Sequence, residues 1–374
     1  MKNLVFIGVI IMSSCGKIPV PPVAKKEPFD MINHGHKRVD NYYWMRLTDD
    51  QKKSRTPDTQ TVDVINYINQ ENNYTQKSLS HTSVFQKHLF DEIIERIPKD
   101  DETVPYLDNG YFYYSRYEEG KEYAIYCRKR GTLDAEEQII LDGNELSKGH
   151  SYFSVGSRSV SPDNEWLAYG LDTLSRRIYT IYFKNLFTGE VLKHVIPNTS
   201  GSVAWANDNK TIFYTSKNKI TLLSEKIFRH KVGSHYTKDV LVYQEKDNEF
   251  YNGVYRSKSG KFIIIWNSST LVSDYHILKA DDPDGNFLSF TPRGEEHEYD
   301  IAHHSNKFYI MTNYKAKNNR LMETPDNLTN ISNWKEVIPH DENIHLLDME
   351  VFDNHLVLNH RKNGLRGIRI INQN

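Results

Sequence analysis

In the run Ser161-Pro162-Asp163-Asn164-Glu165-Trp166-Leu167-Ala168-Tyr169, a polar reversal leads directly into an apolar, aromatic strand. The same device recurs five times. Asn109-Gly110 precedes Tyr111-Phe112-Tyr113-Tyr114, Asp208-Asn209 precedes Thr211-Ile212-Phe213-Tyr214, and Ser259-Gly260 precedes Phe262-Ile263-Ile264-Ile265. Ser305-Asn306 before Phe308-Tyr309-Ile310 and Asp353-Asn354 before Leu356-Val357-Leu358 complete the series. Asn, Asp and Gly tolerate the backbone angles of a tight hairpin turn, and aromatic and β-branched residues suit a pleated strand. A quasi-repeat of roughly 40–50 residues built from short strands predicts a β-propeller, with one four-stranded blade per repeat.

Composition agrees with that reading. The chain of 374 residues carries 24 Tyr and 16 Phe, and large rings fill the space between stacked blades. The net charge is −2, with both signs interspersed, so there is no electrostatic footprint for a nucleic-acid partner. The two cysteines, Cys15 and Cys127, are too few for a disulfide framework, and Cys127 reads as a small strand residue.

Residues 1–15 read as a targeting segment. Lys2 gives the positive start, residues 4–12 form an apolar run too short to span a bilayer, and Ser13-Ser14-Cys15 is a small-residue cleavage site. The segment resembles a bacterial lipoprotein signal, with Cys15 as the lipid attachment site, the lipid as the sole membrane contact and the bacterial cell envelope as the location. An ordinary secretory signal is the alternative. Residues 16–27, with Pro19-Val20-Pro21-Pro22, read as a proline-rich tether. Residues 28–104 form an N-terminal helical segment. No period is visible over 28–58, and two helices are expected over 59–97. In the second helix Phe85, Leu89, Ile93 and Ile97 make an apolar stripe, and Pro98 ends it. Residues 105–374 are the propeller. The expected fold is thus all-β with N-terminal helices.

Several of these stretches together resemble the oligopeptidase B branch of the prolyl oligopeptidase family. They begin with His34-Gly35-His36-Lys37-Arg38-Val39-Asp40-Asn41-Tyr42-Tyr43-Trp44-Met45-Arg46 and Ile93-Ile94-Glu95-Arg96-Ile97-Pro98. Gly120-Lys121-Glu122-Tyr123-Ala124-Ile125-Tyr126, Asp163-Asn164 and Leu174-Ser175-Arg176-Arg177 follow. Val203-Ala204-Trp205-Ala206-Asn207-Asp208, Tyr243-Gln244-Glu245-Lys246-Asp247, His297-Glu298-Tyr299 and Glu336-Val337-Ile338-Pro339 complete the match, in order, from about residue 28 onward. The resemblance implies a seven-bladed propeller, of which about six blades are encoded here, followed by an α/β-hydrolase domain. It also implies a propeller that admits only short peptides, cleavage after Arg or Lys, and a Ser-Asp-His triad lying wholly in the hydrolase domain.

That triad is expected to be absent from this chain. A hydrolase of this class needs its serine in G-x-S-x-G, and no two glycines here stand four positions apart. No catalytic residue is therefore assigned. The resemblance singles out Arg176 and Arg177 as candidate substrate-access residues, since a paired arginine offers a bidentate site for a peptide carboxylate; a solvated strand-end pair is the plainer reading. Metal sites find no support. His297-Glu298-Tyr299-Asp300-Ile301 ends in isoleucine where H-E-x-x-H needs histidine, and neither His303-His304 nor His34-Gly35-His36 has completing ligands. Asp281-Asp282-Pro283-Asp284-Gly285 lacks the calcium-loop spacing, and no glycine-rich phosphate loop is present, so no cofactor is expected.

Two functions follow. The first is the substrate-gating propeller of an envelope serine oligopeptidase, acting on short peptides and completed by a hydrolase part, which could be a separate α/β-hydrolase chain. The second is a non-catalytic lipoprotein whose propeller binds peptides or a protein partner. A propeller lacking a blade exposes strand edges and apolar faces, so the isolated chain is expected to be marginal or partner-dependent.

Overall fold

The computed structural model describes residues 19–294 and 297–373. Cys15 and the rest of the targeting segment lie outside the described residues. The chain divides into two compact units after Pro98, and each is considered by itself.

In the first unit, β1 (Phe29–Asn33) and β2 (His36–Asp40) form a hairpin closed by His34 and Gly35, both at positive φ. This hairpin is invisible as a period because most of its residues face solvent, leaving no apolar alternation to read. The end of the proline-rich stretch is held down: Trp44 Nε1 donates to the Lys25 carbonyl, and Lys25 Nζ pairs with Asp63. Thr48 and Gln51 cap α1 (Asp49–Lys53) reciprocally, and Asp58 caps α2 (Thr59–Leu79) through the Thr61 amide. After a short 3-10 turn comes α3 (Ser83–Glu95), which has no buried residue. Its stripe is open to solvent: Phe85 is 65 % exposed and Phe90 62 %. No helix among the described residues is long and apolar enough to cross a membrane.

The second unit is a propeller of six blades. Each of the six repeat turns joins the first and second strands of one blade. Blade 1 (101–142) starts with two short strands, Asp101–Glu102 and Tyr106–Asp108, sharing one neighbour, Tyr111–Tyr117. Blades 4 (251–289) and 5 (299–338) are four-stranded, and blade 6 (344–372) has three strands. Blades 2 and 3 are fused. The ten-residue strand Ile196–Trp205 pairs by Ile196 and Thr199 with the third strand of blade 2, and by Val203–Trp205 with the second strand of blade 3. A bulge between Thr199 and Val203 makes the crossover, giving one continuous seven-stranded sheet.

Apolar cores sit between neighbouring blades. Tyr113 and Ile140 of blade 1 pack with Leu167 and Tyr169 of blade 2, and Phe262 and Tyr275 of blade 4 pack with Phe308 and Trp334 of blade 5. Tyr111, Tyr113 and Tyr182 belong to this packing, Tyr182 stacking on Tyr169 of the same blade at 5.5 Å, while Tyr114 packs with Ile125 and Cys127 inside blade 1. Cys127 is buried, which pushes its thiol up to about 12, with the nearby Glu137 adding to the effect.

Candidate functional site

Strands alternate direction within a blade, so the repeat turns gather at one rim of the propeller and the loops between second and third strands at the other. Side chains lock the first rim from blade to blade. Asn109 Nδ2 donates to the Pro162 carbonyl (2.6 Å) and Asn164 Nδ2 returns a bond to the Asn109 carbonyl (3.2 Å). The Asp163 amide donates to Asn209 Oδ1 (3.0 Å), Asn207 Nδ2 to the Gly260 carbonyl (3.2 Å), and His303 Nδ1 meets Ser259 Oγ at 2.8 Å. The turn residues therefore do two tasks: they reverse the chain and they register adjacent blades. Arg128, fully buried, adds to the lock by donating to Gln138 Oε1 (2.7 Å) and, from both terminal nitrogens, to the Asn164 carbonyl (3.2 Å).

Arg176 and Arg177 lie at the opposite rim, in the loop after the second strand of blade 2. Asp172, with 0 % exposure, builds that loop. Its Oδ1 accepts the Leu174 amide at 2.8 Å, and its Oδ2 accepts the amides of Arg176 (3.1 Å) and Arg177 (2.7 Å). Ser175 and Arg177 take positive φ, and Lys217 Nζ holds the Arg177 carbonyl at 3.1 Å. Burial lowers the Lys217 pKa, with Arg177 adding to the effect. Both arginine side chains stand exposed and form no ion pair among the described residues. Their backbone is fixed while their guanidinium groups remain available.

The same rim carries a cavity of about 660 Å3 where blades 4, 5 and 6 meet. Tyr255, Trp266, Tyr275 and Tyr299 line it, with Glu298 and Asp300, and Ile301, Met311 and Leu347 supply apolar wall. The Tyr275 hydroxyl donates to Asp300 Oδ1 at 2.7 Å. Burial first, and then the Asp300 charge, holds the phenols of Tyr255 and Tyr275 well above the ordinary tyrosine range, so they remain donors. Arg176 and Arg177 do not line this cavity.

The remaining motifs resolve as structure. Asn267 and Tyr243 are bonded at 2.9 Å, and Arg293 joins Glu245 (2.5 Å) to Asp274, clamping blade 3 to blade 4. His303 is buried against Phe262 and Phe308, and burial lowers its pKa. Asp281 accepts from Asn207 at 2.7 Å, and the Pro283 carbonyl accepts from Arg229. Among the described residues no group of three or more His, Cys, Asp or Glu side chains is placed to hold a metal ion. Sequence reasoning missed the cavity because its rings come from three different strands of blade 4 and the first strand of blade 5, brought together only by folding; Trp266 at the end of an apolar strand was its one local sign.

Comparison with known proteins accounts for this architecture. The family "Prolyl oligopeptidase, N-terminal beta-propeller domain" matches residues 21–374. Dipeptidyl aminopeptidase BI of Pseudoxanthomonas mexicana is 36 % identical over 367 residues, which is 94 % of this chain and 49 % of the relative. Protease 2 of Moraxella lacunata is 32 % identical over 357 residues, covering 94 % and 50 %. The solved structure of oligopeptidase B from Leishmania major superposes with a TM-score of 0.85 at 27 % identity, over 95 % of this chain and 51 % of that one. The chain thus spans about half the length of the relatives it matches. Its six repeat turns, blade-by-blade packing and match over residues 21–374 make it a member of the prolyl oligopeptidase family, to which it contributes the N-terminal propeller.

Proposed function

We propose that this propeller admits short peptides to a serine-type hydrolase that cleaves them after Arg or Lys. The family match carries the reading: in full-length relatives a propeller of this kind accompanies a hydrolase domain, and here the loops of one rim present free cationic and anionic groups. The G-x-S-x-G nucleophile turn does not occur in these 374 residues, so the hydrolase part supplies the chemistry, whether on the same polypeptide or on a separate one. Supporting this, the α3 stripe Phe85, Leu89, Phe90, Ile93 and Ile97 is exposed apolar surface of the kind that marks an interaction face. Arg176 and Arg177 serve as cationic contacts for the carboxylate end of an entering peptide. The apolar leader with Cys15 supports an envelope location, tested by radiolabelled palmitate incorporation in wild-type and Cys15→Ser cells.

The test reconstitutes the chain with the hydrolase part encoded at its locus and measures cleavage of Arg- and Lys-containing peptides of graded length. Short peptides are expected to be cut and long or folded ones spared. If the hydrolase part cuts long substrates equally well with and without the propeller, the gating function is wrong.

A further inference from the structure

The cavity between blades 4, 5 and 6 contains a charge imbalance that the fold leaves unused. Several carboxylates on this unit are matched, among them Glu350 with Lys258, Asp326 with Lys261, Glu323 with Lys307, and Glu137 with Arg116. Glu298 and Asp300 are exposed, stand two residues apart along the chain, and have no cationic partner among the described residues. No lining side chain of the cavity is basic. Two carboxylates at the mouth of an uncompensated pocket give a site that is incomplete until a positive charge enters it.

The walls narrow the kind of cation. Four aromatic rings line the pocket, and the face of an aromatic ring attracts a cation through its quadrupole. The rings are held in place. Trp266 lies so close on Gly253 that a Cβ there would sit 2.4 Å from its Nε1, and Tyr275 is fixed by its bond to Asp300 and by Tyr299 at 5.1 Å. Ile301, Met311 and Leu347 offer apolar contact to whatever carries the charge. A hydrated inorganic ion gains nothing from such walls, whereas an organic cation on a carbon stem uses all of them. A volume of about 660 Å3 is that of a small-ligand pocket, large enough for a residue or two of peptide.

We propose that this cavity is a binding site for a primary ammonium group on a peptide, either a lysine side chain or the amino terminus, held by Glu298 and Asp300 and enclosed by Tyr255, Trp266, Tyr275 and Tyr299. The inference rests on the peptide-admitting function above and adds a docking point on the propeller itself. It places the negative contact on blade 5, apart from the positive contact of Arg176 and Arg177 on blade 2.

The test is calorimetric titration of the 374-residue chain at pH 7 and low salt with three tripeptide amides. One has a free amino terminus and no lysine, one is acetylated and contains lysine, and one is acetylated with norleucine in place of lysine. At least one ammonium-bearing peptide is expected to bind about tenfold or more tightly than the neutral one. Which one does so identifies the source of the ammonium. The difference is expected to vanish in the E298Q/D300N double variant, whose substitutions are at exposed positions and whose melting curve serves as the folding control. If the neutral peptide binds as tightly as both charged ones, the ammonium site is overturned while the peptide function stands. If none of the three binds, the ammonium site is overturned, and the peptide-admitting function is judged separately by the cleavage of peptides of graded length. Because the charged-to-neutral ratio is read on the unsubstituted chain, the outcome does not depend on how the variant behaves.

Discussion

Replacing Asp172 by Asn separates the hydrogen-bonding role of this buried side chain from its size. In the native loop one oxygen accepts the Leu174 amide and the other accepts the amides of Arg176 and Arg177. An asparagine keeps the shape but offers a single acceptor oxygen. Its better orientation points that oxygen at the Arg176 and Arg177 amides and turns its own NH2 toward the Leu174 N–H. One bond is then lost outright and a donor faces a donor. A hydrogen bond to a charged group contributes roughly 1.5–3 kcal/mol, so the loop's opening equilibrium shifts by roughly 10–150-fold. The assay is amide hydrogen exchange over residues 172–180, read residue by residue. Leu174 is expected to lose the most protection, and the global melting temperature to move by only a few degrees, because loop opening is sub-global. Unchanged exchange at Leu174, Arg176 and Arg177 in D172N would show that Asp172 does not organise the arginine loop.

Gly170→Ala places a Cβ 2.7 Å from Gly201 Cα, a backbone clash at the shared strand, and is expected to cost about 1–3 kcal/mol and lower the melting temperature by roughly 2–8 °C in a thermal scan. Glu137 is held down to about 2, chiefly by its bonds to Arg116, and the Tyr114 hydroxyl also favours its charged form. Its folded pKa is depressed, so its stabilisation is complete above the ordinary carboxyl range and is lost as pH falls from about 4.5 toward 2. That amounts to at most about 3 kcal/mol, and less for a side chain 28 % exposed to screening solvent; urea midpoints at pH 6 and pH 2.5 should converge for wild type and Glu137→Gln at the lower pH. A serine-directed fluorophosphonate probe is expected to leave the 374-residue chain unlabelled, and stoichiometric labelling would mean that a nucleophile had been overlooked. Ile368 and Ile370 on the last strand of blade 6 are 70 % and 66 % exposed, so the chain alone is expected to associate with rising concentration; a strict monomer by light scattering at all concentrations would contradict this.

The blades were legible because one short-range signal, a turn pair before an aromatic strand, is repeated. All six such pairs join first and second strands. Two helices were expected over residues 59–97, and α3 was legible from its apolar period and from Pro98. Other elements escaped for physical reasons. The strands Asp101–Glu102 and Tyr106–Asp108 are too short to show a period, and the hairpin over residues 29–40 has no buried face. At the arginine loop the two arginines stood out, but their anchor did not: a buried strand-end aspartate reads in sequence like any solvated turn residue. Tyr255, Tyr275 and Tyr299 follow the strand pattern of a core, and only the meeting of separate blades reveals that the same rings also line an open cavity.

The strand Ile196–Trp205 also gives the propeller a mechanical grain. From residue 154 to 244 the sheet is stitched by main-chain bonds without a break, while the sheets of blades 1, 4, 5 and 6 are separate from it and from one another. Blades 2 and 3 therefore move as one stiff plate, and a force that parts the blades acts at the other junctions, where packed side chains and isolated main-chain bonds such as Asn207 N–H to the Ala280 carbonyl and Leu346 N–H to the Asn318 carbonyl replace a continuous ladder. Any sideways breathing of the blades belongs to those softer seams, and the arginine loop, mounted on the plate, keeps its position while they open.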